Sequence, residues 1–361
     1  MPQLKMLTCA AQALLLAIAS VLVCGCSGRQ TSEGGAIRLQ GAGATFPNPL
    51  YQKWLSEYGK INPGVRIDYQ AIGSGGGIKQ IKEQTIDFGA SDTPMSDADL
   101  QSAPGRILHL PMVLGAVVLT YNLPEAKEPL RFSPDIIADI FLGKIRTWDD
   151  ARIKADNAGA ALPSAAITVV RRSDGSGTSA VFTDYLSKVS DEWKQKVGSG
   201  TSPNWPVGLG GKGNDGVTGL VEQTPNTIGY IELAYAVTNR LPVARIKNST
   251  GNFVEPSLDN VMSAAAGSVA QMPEDLRVSI TNASGAQAYP ISSYTYILAY
   301  QEQKDAAKGK AFVDFLWWCI HDGERFAKDL QYAPLPEAVV KKAEAALHSI
   351  TSSSKPLRAA R

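Results

Sequence analysis

The chain has 361 residues, 44% of them hydrophobic and 19% charged, which is the composition of a folded globular protein with room for two domains. Its 35 basic and 34 acidic residues leave a formal net charge of +1. That balance excludes the basic excess expected of a nucleic-acid binder, so any anion the protein holds is held by local geometry and not by a broad positive field.

The N-terminus, MPQLKMLTCAAQALLLAIASVLVCGC, carries one lysine and then an apolar run over residues 10–23. The run is short and rich in small residues, which suits an export signal better than a membrane span. It ends at Val23-Cys24-Gly25-Cys26, where a small residue precedes a cysteine as in a bacterial lipobox. Cys26 is the expected lipidation site, with simple cleavage into a soluble form as the alternative, and residues 27–35 read as a polar linker. Processing would leave Cys319 alone in the body, unable to form an internal disulfide and expected as a buried thiol in FVDFLWWCI. His109, His321 and His348 are far apart and lack metal-ligand spacing, so no metal or cofactor is expected.

Along the body, VRIDYQAIG (65–73) alternates like a half-buried strand, IKQIKEQ begins a helix and IDFGAS is a short strand. SDADLQ starts a helix capped by Ser96. ILHLPMVLGAVVLTYN reads as two apolar pieces broken at Pro111, and SPDIIADIFLG has Ser133 as cap with Pro134 at the first helical position. ITVVRR is a buried strand entering a helix from about Gly177. IGYIE, PVARIK and YPISSYTYILAY are further strands, and the C-terminal part is helical. Alternating strands and helices predict an α/β fold with mostly parallel or mixed sheets.

Four stretches place small residues and hydroxyls at or just before a helix start: GAGATFPNP (41–49), AIGSGGGIKQ (71–80), GASDTPMSDADL (89–100) and RRSDGSGTSAVF (171–182). Free N–H groups and the helix dipole make such starts anion sites. One such loop is usually only a cap or turn; four point to a shared ligand. Arg172 offers a planar fork to a tetrahedral oxyanion, and Asp174 is placed to fix that guanidinium. Arg171 is expected to be a solvated strand-end charge. Asp92 is the sharper clue, because a carboxylate repels a bound anion unless that anion still carries a proton, as phosphate does and sulfate does not. The plainer reading of Asp92 is a cap on the turn DTP.

GAGATFPNPLYQKW, YQAIGSGGGIKQI, DFGASDTPMS, VVRRSDGSGTSAVFTDYL, WPVGLGGKGNDGV and IGYIELAYA occur in an order that resembles the phosphate-binding proteins of bacterial Pst-type ABC importers, from about Gly41 to the YAPLP segment. The resemblance implies the α/β two-domain periplasmic-binding-protein fold, type II-like, with mixed sheets flanked by helices and two hinge crossovers, closing on dehydrated phosphate. It places domain I at residues 36–111 plus 291–350, domain II at 112–290, and a flexible tail at 351–361. It implies Thr45 and Phe46 as ligands through backbone N–H and the Thr hydroxyl, Ser74 from the second loop, and Asp92 as acceptor of the phosphate proton. The RRSDGSGTS motif implies Arg172, Ser176, Gly177 and Thr178 as ligands, with Asp174 orienting Arg172. The family's second loop often reads GSSGG where this chain has GSGGG, a departure that spares Ser74. The implied partners are inorganic phosphate and the inner-membrane subunits of an ABC permease driven by a cytoplasmic ATPase. The implied protein is a monomer, periplasmic or anchored through Cys26.

A serine hydrolase or phosphatase would need a GxSxG elbow, but position 174 is Asp and position 72 is Ile, so neither Ser176 nor Ser74 has one. GLGGKG (208–213) matches GxGxxG, yet PNWP and not a strand precedes it, so a nucleotide site is not expected and the stretch reads as scaffold. Asp92 argues against sulfate; arsenate, which carries a proton, stays open, as does a surface-anchored interaction protein on the same fold.

Overall fold

The structure is a computed structural model that describes residues 36–358; the expected signal segment, Cys26 and the linker lie outside the described residues. Strands β1 (Ile37–Gly43), β2 (Val65–Ala71) and β3 (Phe88–Ser91) pair in parallel, and helices α1 (Asn48–Ile61) and α2 (Ser74–Lys82) follow β1 and β2. At the sheet edge β2 keeps the half-buried alternation of VRIDYQA, whereas β3, flanked on both sides, is buried throughout. The short helix Asp97–Gln101 is capped by Ser96, whose side chain accepts from the Asp99 N–H.

Strand β4 (Ile107–Asn122) runs unbroken for 16 residues, where the sequence predicted two pieces parted at Pro111. The short strand β5 (Arg131–Phe132) follows, then β6 (Thr168–Arg172), α3 (Gly177–Val189), β7 (Leu209–Gly211), α4 (Gly213–Gln223), β8 (Thr227–Glu232) and α5 (Leu233–Thr238). β9 (Arg245–Lys247) and β10 (Phe253–Val254) form a small separate sheet with β5, and β11 (Ser292–Tyr300) returns to the main sheet before α6 (Ala306–Cys319) and α7 (Glu337–His348). Pro111 survives inside β4 because the register of β11 shifts between Thr295 and Tyr296, opposite the proline, so its missing N–H falls at a bulge.

The main sheet has the order β2-β1-β3-β11-β4-β8-β6-β7. The first part of β4 pairs antiparallel with β11 and its last part, Val117–Asn122, pairs antiparallel with β8. One strand is therefore common to two half-sheets, each carrying parallel βα units. Each half has its own aromatic packing: Tyr58 against Phe315 and Phe88 against Phe312 in the first, Phe182 against Phe141 and Tyr230 in the second. Cys319 is buried and free. Ser133 holds the N-cap position of Pro134–Phe141, but its hydroxyl donates to Asp156 instead of capping. Residues 351–358 of the expected tail are tied down: Thr351 and Ser352 pair with Pro356 and Lys355, and the Arg358 guanidinium lies 3.9 Å from the Trp317 ring centroid. Among the described residues no helix is long and apolar enough to cross a membrane.

Glu232 ends β8 opposite Val117, fully buried, and its Oε2 caps α5 by accepting from the Ala234 N–H at 2.8 Å. The Tyr332 hydroxyl lies 2.6 Å from the Phe46 carbonyl oxygen and 3.1 Å from Glu232 Oε2. A phenol has one proton and the carbonyl can only accept, so both contacts are satisfied when Glu232 keeps its own proton. Burial pushes the Glu232 carboxyl well above the usual range, and nearby Asp92 adds to the rise. With the folded value raised, the stability this group confers is complete below the ordinary carboxylate range and is lost as pH rises. Glu232→Gln is therefore expected to fold normally and to lose less stability than the parent on going to alkaline pH, whereas Glu232→Ala costs about 2–3 kcal/mol by stranding the Ala234 N–H in a cavity; urea unfolding across pH distinguishes the three.

Candidate functional site

Parallel βα units bring strand C-termini and helix N-termini to one side of a sheet, and two half-sheets sharing β4 bring two such sets together. Thr45 and Phe46 sit between β1 and α1, Ser74 opens α2 and Asp92 follows β3; Arg172 ends β6, Ser176 is the N-cap of α3, and Gly177 and Thr178 form its first turn. All of them are buried. Ser74 Oγ donates to Asp92 Oδ2 at 3.4 Å. A Cβ on Gly177 would fall 2.3 Å from Ser74 Oγ and 2.5 Å from Asp92 Oδ2, so the start of α3 is backed directly onto the Asp92 carboxyl. Among the described residues, the N–H groups of Thr45, Phe46, Gly177 and Thr178 find no acceptor. Buried N–H groups are nearly always paired, so four without a partner at two helix starts are donors available to an acceptor-rich group. Ser176 contributes less: its N–H donates to the Thr201 carbonyl and its Oγ accepts from the Ser179 N–H, leaving only the hydroxyl proton.

Arg172, with 1% of its side chain exposed, is gripped by Asp174 through Nε at 2.8 Å and Nη2 at 2.5 Å, while Nη1 donates to Thr178 Oγ1 at 3.2 Å. Burial pushes the Asp174 carboxyl up, but the Arg172 hydrogen bonds and charge, joined by the Gly213 N–H, outweigh it and hold the carboxyl below its ordinary value. Asp92 is the opposite case. Burial drives its carboxyl up to about 7 against hydrogen bonds from Thr295 and Ser74 and the charge of Arg172. Its Oδ1 accepts from Thr295 Oγ1 at 3.1 Å. The turn after β3 is made by Ser91, whose Oγ bonds the Thr93 carbonyl and N–H, so Asp92 is not spent as a turn cap. Arg171 is half-buried and not solvated as expected: its Nη1 donates to the Arg172 carbonyl and its Nε is buried without a partner. Strand alternation sends it away from Arg172 and over Gly208 and Gly210, at the start of β7.

The sequence reading missed the part played by GGKGND. This stretch is more than scaffold: the Gly213 N–H holds Asp174, and buried Asn214 donates from Nδ2 to Thr45 Oγ1 at 2.8 Å and to Thr178 Oγ1 at 3.2 Å. The signal is in the sequence, as a fifth small-residue run opening a helix. Tyr235, on α5, donates to the Thr45 carbonyl at 2.6 Å, and the Gly75 N–H donates to the Gly175 carbonyl at 2.9 Å. These bonds join loops of the first half-sheet to loops of the second.

The model of the PBP superfamily domain matches residues 29–317. A phosphate-binding protein PstS of Xylella fastidiosa is 46% identical over 312 residues, 86% of this chain and 85% of that protein. The PstS of Pasteurella multocida is also 46% identical, over 85% of this chain and 89% of its own. The chain belongs to the PstS family of the PBP superfamily. A high affinity periplasmic phosphate-binding protein solved with bound phosphate shares the fold at a TM-score of 0.66 and 22% identity, over 86% of this chain and 93% of that one. A phosphate binding protein from Stenotrophomonas maltophilia matches with a TM-score of 0.66 and 20% identity, over 86% of this chain and 94% of its own. In this PstS-family chain, Gly177 is the position where a single methyl decides the geometry. Gly177→Ala should leave helix α3 and the melting of each half intact, since Ala suits a helix, yet keep α3 from seating on Ser74 and Asp92. The expected result is at least a hundredfold loss of anion affinity by titration with an unchanged far-UV spectrum.

Proposed function

We propose that the protein binds inorganic phosphate between two lobes and delivers it to an ABC permease for import. The observation that carries this reading is the facing of unpaired buried N–H groups and the Asp174-neutralised Arg172 against Asp92. Donors of this kind receive the oxygens of a tetrahedral oxyanion, while a carboxylate beside it accepts only from an oxyanion that still carries a proton. Phosphate donates to Asp92; sulfate near neutral pH has no proton to give. Arsenate shares phosphate's protonation and differs in size, so it is the competing ligand. The relatives called phosphate-binding protein PstS support the same choice. No chemistry is done on the ligand in this reading, because every group around it is a donor or a single proton acceptor.

In the same reading the lobes are residues 36–111 with 291–350 and residues 112–290, parted within β4, and Thr45, Phe46, Ser74 and Asp92 come from the first while Arg172, Ser176, Gly177 and Thr178 come from the second. The exported chain works as a monomer, and lipid on Cys26 would keep it at the membrane beside the permease. Calorimetric titration of phosphate-stripped protein should give one tight phosphate site. Arg172→Ala should weaken it by a factor of about a hundred or more, by removing donors and stranding the buried Asp174 charge, and Arg171→Ala by less than about threefold. Equal losses from the two arginines, or no phosphate binding by the parent, would overturn the assignment.

A further inference from the structure

Asn214 has no place in the implied ligand set, and it is fully buried where the two half-sheets meet. Its orientation is fixed by chemistry: the Glu232 N–H donates to Asn214 Oδ1 at 3.0 Å, and a backbone N–H can bond only the oxygen of the amide. The NH2 end therefore faces the two threonines. Thr45 Oγ1 accepts from Asn214 Nδ2 at 2.8 Å and from the Asn214 N–H at 3.3 Å. Thr178 Oγ1 accepts from Asn214 Nδ2 at 3.2 Å and from Arg172 Nη1 at 3.2 Å. A hydroxyl has two lone pairs and one proton. Both lone pairs of both hydroxyls are filled, so each proton is left to be donated.

From this we infer that Asn214 is a positioning residue that turns Thr45 and Thr178 into obligate donors toward the bound oxyanion. The inference rests on the phosphate reading of the site and deepens it. A free hydroxyl rotates and accepts as readily as it donates, and one whose lone pair faced an anion would repel it. Asn214 removes that choice at Thr45, beside β1, and at Thr178, on α3, with one amide. Asn214, Arg172 and Thr178 all belong to the second half-sheet and Thr45 to the first, so Thr178 is set within its own half, whereas Thr45 is set only when the two halves are together, which couples its donor direction to closure around the ligand.

The test is phosphate affinity in a set of variants measured by titration. Asn214→Ala should weaken binding about tenfold or more. Thr45→Val with Thr178→Val should weaken it as well, and adding Asn214→Ala to that pair should cost less than about twofold further, because no hydroxyl remains to be directed. A merely structural Asn214 would instead give losses that multiply. Asn214→Asp keeps the acceptor for the Glu232 N–H, and hence the fold, but offers the threonines only acceptors. Its buried carboxyl should lower the melting temperature of the phosphate-free protein, and, measured where both proteins are folded, it should lose more affinity than Asn214→Ala. Parent-like affinity in Asn214→Ala or Asn214→Asp, or multiplying losses in the combined variant, would overturn the inference. Failure of the parent to bind phosphate would instead remove the reading beneath it.

Discussion

A buried carboxyl backed onto a helix N-terminus is the constraint around which the proposed site is arranged. Asp92 has almost no contact with solvent, the α-carbon of Gly177 lies against it, and burial raises its pKa to about 7. Two unit charges of like sign about 4 Å apart repel by about 4 kcal/mol at an effective dielectric of about 20. A hydrogen bond to a charged group returns about 1.5–3 kcal/mol. An oxyanion with a proton for Asp92 gains the second term, and one without it suffers the first, so a single side chain separates the two by several kcal/mol.

The rest of the site follows from making such a carboxyl compatible with anion binding. Arg172 supplies the one full positive charge of the proposed ligand set, and Asp174 offsets it, so in this reading attraction comes from aimed donors and not from net charge. Those donors are backbone N–H groups at helix starts and hydroxyls whose lone pairs are already filled by Asn214 and Arg172. Aimed donors bind only when held in place. β4, shared by both half-sheets, sets their relation, and the Gly75–Gly175, Tyr235–Thr45 and Asn214–Thr45 bonds fasten it across the junction.

Much of this was legible in the sequence, because it depends on local rules. Helix starts announced themselves through Ser96 and through the glycine–hydroxyl runs before α2 and α3, and the Arg172–Asp174 spacing already described a fixed guanidinium. What was not legible depended on partners distant in the chain. Pro111 fails to break β4 only because β4 bulges at Met112 in its pairing with β11, a strand some 180 residues later. Ser133 abandons capping for Asp156, and Arg171 is covered by Gly208 and Gly210. Asn214 was the largest omission: nothing near it in sequence tells that its amide meets Thr45, 169 positions away.

Selection of the oxyanion through the proton it offers Asp92 is tested most directly by titrating phosphate and sulfate into the parent protein and into Asp92→Asn at about pH 8.5, above the value of about 7 to which burial raises the Asp92 carboxyl. Phosphate should bind the parent tightly with sulfate silent, and the neutral amide should bring the two affinities within about tenfold of each other in the variant. A phosphate-to-sulfate ratio that is unchanged by Asp92→Asn would contradict selection by the proton, and would mean that selectivity lies in the shape of the donor cage.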